Sequence, residues 1–343
     1  MKRNDCIDVT KGFAVILVVL GHVIQYGANN YFDFSSHIIF KLIYSFHMPL
    51  FMFLSGYTSY YSFRNTKNTR LYFVKKRVIS LLLPFLIWGI ITSLFVCFKD
   101  IIIRHTLSTF IERIRDLFLY PANGLWFLWV LFFINVIHLI INSLEEKNGM
   151  ISYVIVFIIV MIIPFGSYFG IDTIKWMLPF YFVGYFTNKY NDYISEKVKF
   201  IRIISICLLP VAIFLVIKNN YLCLINKELV VENKLFYSVN LGLRYIIAFV
   251  WIIVIFSITN LLKKNICYIK LANLGLYSLD IYVIQVFFVK MIGKISFWGD
   301  NIIIFNLLFV PLMTILITTI CYIISNKLIR KNKFFTLLLL GNR

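Results

Sequence analysis

Two histidines stand inside apolar runs, where a passive membrane anchor has no use for them. His22 closes the stretch Lys11-Gly12-Phe13-Ala14-Val15-Ile16-Leu17-Val18-Val19-Leu20-Gly21-His22, and His47 lies in Phe46-His47-Met48-Pro49-Leu50-Phe51. An ionisable side chain in hydrocarbon is costly unless it faces the interior of a helix bundle, so each is a candidate for chemistry. An imidazole changes charge near neutral pH, and in a dry pocket it can take the proton from an attacking hydroxyl. That is the general base needed for acyl transfer to an alcohol. Lys11 and His22 are separated by about three helical turns, which sets a cation near the membrane surface and a base on one face about 16 Å apart. Asp8, one turn before Lys11, can pair with it or complement the helix N-terminus, although plain capping and anchoring would use the same residues. For either histidine taken alone, a hydrogen-bonded packing role is the bland alternative. Two of them at similar depth in antiparallel neighbours favour function.

The elements that must position these side chains are membrane helices. The chain has 343 residues, is 61% hydrophobic and has a mean hydropathy of +0.86, well above soluble-domain usage. Windows of about 20 residues, enough to cross the bilayer core, place spans near 12–28, 38–60, 78–98, 124–142, 151–166, 173–187, 200–217, 236–259, 271–292 and 301–326. The expectation is an all-α polytopic bundle of about ten transmembrane helices, forming one membrane domain over residues 1–343. The first run lacks a small-residue cleavage pattern and is expected to remain as a span. Pro49 should kink the second span and free a carbonyl one turn back, and Ser55-Gly56 should let helices approach closely. With the N-terminus inside, about 22 Lys and Arg fall on the inner side and about 11 on the outer, so both termini are expected in the cytoplasm. The mixed-charge segment 99–122 dissents and could form a surface helix.

The formal charge of +19 would suggest nucleic acid in a soluble protein. Here the basic residues cluster between apolar runs without a nucleic-acid motif, and membrane topology explains them better. The six cysteines are scattered without paired spacing, so free thiols are expected, with no metal site and no disulfide framework. The most basic stretch, Arg64 to Arg77, is expected to be an inner loop and holds Arg64, Lys67, Arg70, Lys75, Lys76 and Arg77 with no acid among them. It suits anionic lipid headgroups or, equally, a rim for phosphate.

These residues also carry a family resemblance. Asp8-x-x-Lys11-Gly12…Leu20-Gly21-His22, followed by Phe46-His47-Met48-Pro49-Leu50-Phe51…Leu54-Ser55-Gly56, resembles the opening of the acyltransferase 3 family of integral membrane O-acyltransferases. Lys76-Arg77…Pro84 resembles the basic approach to its third helix, and Gly124-Leu125-Trp126-Phe127-Leu128 its Trp-Phe-Leu element. Leu274-Gly275-x-x-Ser278-Leu279-x-Ile281-Tyr282 resembles its late signature. The resemblance runs through the chain in order.

It implies a bundle of about ten spans that moves an acyl group, usually acetyl, from acyl-CoA on the cytoplasmic side to a sugar hydroxyl of a cell-surface polysaccharide or lipid-linked glycan. It implies His22 as the essential histidine with Lys11 in support. Lysine replaces the family's usual arginine at position 11, as in the fucose 4-O-acetyltransferase-like subgroup, so bidentate contacts there are in doubt. Arg70, Lys75, Lys76 and Arg77 become candidates for the phosphates of acetyl-CoA. Gln285 stands where many relatives carry histidine, which leaves acid–base work to His22 and His47. Trp126 suits either interfacial anchoring or a sugar site, as does Trp129. Arg244, costly in a span unless paired, and Tyr282 are further candidates for the acceptor site, and Asp280 could neutralise Arg244. The expected partners are acyl-CoA, a glycan acceptor and the lipid bilayer of the bacterial cell membrane, with a homodimer allowed and no nucleic acid. A second reading, from another class, is a proton-coupled transporter of a lipid-linked sugar or small anion. No symmetry between halves of the sequence supports it.

Overall fold

The computed structural model describes residues 5–28, 32–64, 70–104, 108–121, 125–148, 151–163, 168–219, 234–262, 266–292 and 301–341. Among these residues every regular element is a helix. In hydrocarbon a backbone must satisfy its own N–H and C=O groups, which apolar helices do within one segment. The helices that matter below are α1 (Asp5–Gly27), α2 (Ile38–Tyr44), α3 (His47–Arg64), α4 (Arg70–Arg77), α5 (Leu83–Arg104), α6 (Ser108–Leu119), α7 (Trp126–Asn148), α8 (Ile151–Ile162), α9 (Ile171–Lys189), α10 (Asn191–Lys218), α11 (Lys234–Leu261), α12 (Ile266–Leu276) and α13 (Ser278–Ile292). The run Ile302–Ile329 is α14, with wider π turns at Phe305–Phe309 and Ile324–Ile329, and Lys333–Leu340 is α15.

Among the described residues six helices are long and apolar enough to cross a membrane, and α12 with α13, bent by 74°, make a seventh if the pair is one span. Trp126–Asn142 and Ile151–Ile162 are shorter apolar helices. The expected multi-pass all-helical chain is observed, and length and composition of the described residues establish six or seven of the roughly ten expected spans. Three expected elements differ in detail. The basic stretch read as a loop is helical over Arg70–Arg77 and continues through a π turn into α5; Lys67 lies outside the described residues. The second span is α2 and α3, interrupted at Ser45-Phe46, and the span expected near 271–292 is the bent pair. Segment 99–122 ends α5 and then forms α6, which has no fully buried residue. Cys6, Cys97, Cys207, Cys267 and Cys321 are free thiols, and Cys223 lies outside the described residues.

The chain divides into two compact units, Met1–Leu54 with Tyr190–Ser325, and Ser55–Lys189 with Asn326–Arg343. In the first unit α1 is the central helix, covered by α12, α13 and α14. Small residues set its closest crossing. A methyl group on Gly12 would strike the Leu271 carbonyl, and one on Gly275 the Asp8 carbonyl, so α1 and α12 meet backbone to backbone. Such close approach of small residues is how helices associate where apolar burial alone gives no preference. In the second unit Gly56 likewise faces the Tyr181 carbonyl, which bears out close packing at Ser55-Gly56. Lys175, almost fully buried on α9, donates from Nζ to the Met161 carbonyl at 3.1 Å and to the Ile163 carbonyl, and so satisfies acceptors at the end of α8.

Candidate active site

In the first unit His22 is held by a partner 263 positions away: its Nδ1 lies 2.9 Å from Nε2 of Gln285 on α13. Gln285 is fully buried and His22 is half-buried, and His22 Nε2 has no hydrogen-bond partner among the described residues. One residue earlier, Gly21 leaves room for the Tyr44 ring to lie against α1. Tyr44 stacks on Phe40 at 3.8 Å, donates its hydroxyl to Oε1 of Gln25 at 2.9 Å and lies 4.6 Å from the His47 ring. Its hydroxyl is within electrostatic reach of Tyr26 and Tyr282.

His47 owes its orientation to the break between α2 and α3. The last turn of α2 has carbonyls without helical partners. The Ile43 carbonyl among them accepts from the Phe46 N–H of the turn at 3.2 Å and also meets the His47 ring, with Nδ1 at 2.7 Å. A carbonyl only accepts, so Nδ1 is the donor, and in the neutral ring the lone pair belongs to Nε2. Pro49, which lacks an N–H, keeps the helical ladder from closing across the same break. His22 and His47 lie on either side of Tyr44, whose ring packs against Gly21 next to His22 and stands 4.6 Å from the His47 ring. The first unit thus brings His22 to Gln285 and Tyr26 and His47 to Tyr44, and each imidazole has one ring nitrogen without a hydrogen-bond partner among the described residues. An open imidazole nitrogen in a mostly apolar setting can accept a proton and return it.

Lys11, Arg244 and Asp280 belong to the same unit. Lys11 is half-buried on α1, three turns before His22. Arg244 is buried on α11, one turn after Asn240, whose Oδ1 accepts from Asn219 Nδ2 at 2.9 Å. Asp280, buried in the first turn of α13, accepts from the Ser325 hydroxyl at 2.5 Å.

The second unit holds the basic cluster and the tryptophans. On α4, Arg70, Lys75 and Lys76 are exposed, and Arg77 is half-buried with its guanidinium 4.9 Å above the Phe73 ring. The Nε of Arg77 is buried without a hydrogen-bond partner among the described residues. Trp126 is half-buried against Phe127, while Trp129 donates its indole N–H to the Phe169 carbonyl at 2.9 Å. Here the sequence reading passed over His138, fully buried on α7. Its Nδ1 meets the Tyr181 hydroxyl at 3.2 Å and its Nε2 the Tyr153 hydroxyl at 3.1 Å, and Tyr181 donates onward to Asn135 Oδ1 at 3.1 Å. The rule that singled out His22, an ionisable residue within an apolar helix, would have flagged His138 as well. Gln25 and Tyr44 carried no comparable signal, since their meeting depends on how α1 and α2 dock. Among the described residues no group of three or more His, Cys, Asp or Glu could hold a metal ion.

No solved structure matches the chain. Among curated proteins, the nodulation protein NolL of Mesorhizobium japonicum is 34% identical over 131 residues, 38% of this chain and 34% of the relative. NolL of Sinorhizobium fredii is 43% identical over 89 residues, 25% of this chain and 23% of the relative. The chain therefore covers about a third or less of the length of the relatives it matches. A family model described as an acyltransferase domain matches residues 4–326, nearly the whole chain and both of its compact units, so the chain belongs to the acyltransferase 3 family.

Proposed function

We propose that this chain is a multi-pass membrane O-acyltransferase that moves an acyl group, chiefly acetyl, from acyl-CoA to a hydroxyl of a cell-surface polysaccharide or lipid-linked glycan. The observation that carries this reading is His22, an imidazole held at Nδ1 by Gln285, with no hydrogen-bond partner at Nε2 among the described residues, in the same unit as His47. Family membership supplies the reaction class.

In the proposed step Nε2 of His22 takes the proton of the acceptor hydroxyl as its oxygen attacks the thioester carbonyl. The C–S bond then breaks, and the departing CoA thiolate takes that proton back. A thioester is already activated, so the protein's task is to position the reactants, supply a base and stabilise the developing oxyanion. His47 assists with its own open nitrogen, and Lys11 marks the cytoplasmic end of the same helix face. Arg70, Lys75, Lys76 and Arg77 serve the phosphates of CoA; the unpartnered Nε of Arg77 supports this, since guanidinium groups suit phosphate oxygens. Trp126, Tyr282 and Arg244 are assigned to the glycan acceptor. The full chain works as one catalytic domain in the cell membrane, with both termini in the cytoplasm.

The test is transfer of radiolabelled acetyl from acetyl-CoA into a total envelope glycan extract by membranes carrying the protein. Label entering glycan with wild type but not with His22→Ala, both inserted and folded, is the expected result. Substrate movement across the membrane without consumption of acetyl-CoA would replace this reading with a transporter.

A further inference from the structure

Gln285 presents an amide whose two ends are differently placed. Its Nε2 lies 2.9 Å from His22 Nδ1, while its Oε1 is buried with no hydrogen-bond partner among the described residues. A buried acceptor left unmet costs about 1–3 kcal/mol. The two ends of a glutamine amide have the same shape and exchange places by a half-turn of the terminal group. With the amino end on His22, Nδ1 is the acceptor, and a neutral ring then carries its proton on Nε2, where it can donate but not accept. With the carbonyl end on His22, Nδ1 is the donor and Nε2 presents its lone pair. The neighbouring His47 is already held in the second way, with Nδ1 donating to the Ile43 carbonyl.

We propose that Gln285 is the positioning residue of His22: in the reacting enzyme its amide carbonyl accepts the Nδ1 proton, which leaves Nε2 as the basic nitrogen and steadies the imidazolium formed on proton uptake. This rests on the reading of His22 as base. The inference has a structural foundation independent of that reading, because α13 follows α12, and α12 is locked against α1 through Gly12 and Gly275. Gln285 is therefore carried to His22 by a crossing at which α1 and α12 meet backbone to backbone. The carbonyl has no proton to exchange, so Gln285 orients and does not relay.

The experiment compares Gln285→Leu and Gln285→Glu with wild type and His22→Ala, using the full chain, labelled acetyl-CoA and glycan extract. Loss of an orienting partner of this kind typically costs about 10- to 100-fold. Gln285→Leu should lower kcat by that factor while KM for acetyl-CoA stays within about twofold, the signature of an interaction that acts in the transition state. Gln285→Glu, whose carboxylate accepts the same proton, should recover at least about tenfold of the loss, since the acceptor oxygen is restored. Thermal unfolding checks that each variant is folded, and Gln285→Met replaces the leucine variant if that one fails to fold. Wild-type kcat in the apolar variant, or equal loss in the apolar and Glu variants, with His22→Ala inactive, would overturn the role of Gln285 alone. Activity in His22→Ala would instead overturn the base reading itself.

Discussion

His22 and His138 are both histidines within apolar helices, and what surrounds their ring nitrogens separates them. His138 is fully enclosed, with a tyrosine hydroxyl on each nitrogen and Asn135 continuing the chain of hydrogen bonds. Such a fully satisfied network rigidifies a buried region and leaves no site for a substrate proton. His22 is half-buried and among the described residues has a partner at one nitrogen only. Depth in an apolar helix therefore identifies both residues as unusual, and only the hydrogen-bond inventory distinguishes a packing imidazole from one able to react.

The largest expected effect is at His22. Removing a general base lowers rate by about 10²- to 10⁴-fold, so transfer by His22→Ala should fall in that range at unchanged yield of folded protein. His138→Leu should act on the other side of the comparison. It removes the donor to Tyr181 and the acceptor of Tyr153, and stability should drop by about 1–3 kcal/mol, seen as a lower Tm, while transfer per folded molecule stays within about threefold. Gly275→Ala forces a methyl into the Asp8 carbonyl, and overpacking of this kind costs about 1–3 kcal/mol. Its lowered Tm should come with lowered transfer, because the same crossing brings Gln285 to His22. The smallest effect is expected for Lys175→Met, which leaves the carbonyls at the end of α8 without their donor. A loss of about 1 kcal/mol in thermal unfolding, without change in transfer, is the expected outcome.

Much of this architecture is legible along the chain, because lipid imposes a long apolar run on each spanning helix. The span placed at 12–28 is α1, and that at 200–217 falls within α10. Interruptions are less legible. Pro49 signals a break in the second span, yet the helix is interrupted ahead of it, at Ser45-Phe46, where the His47 side chain takes the Ile43 carbonyl. The bend between α12 and α13 falls in an apolar stretch that reads as one continuous span, since hydropathy carries no information about direction. Arg70–Arg77 reads as loop from its charge, but the helix of the following span extends back through it.

The candidate site follows the same division. His22 and His47 stand out by type and setting, and a resemblance in motif order assigned the family that the family model then matched. The His22 partner was beyond reach of the sequence, because a contact between positions 22 and 285 exists only once α1 and α12 have docked through their glycines. His138 shows the converse limit. Its type and setting equal those of His22, and its tyrosine partners come from two other helices, so apart from the motif resemblance the sequence gives no reason to rank one histidine above the other.

The most direct test is to measure acetyl transfer per folded molecule in His22→Ala and His138→Ala side by side, with unfolding followed on the same preparations. The account predicts that His22→Ala is folded and inactive, whereas His138→Ala is less stable and active. Equal loss of transfer in both variants at wild-type stability, or full transfer by His22→Ala, would contradict it.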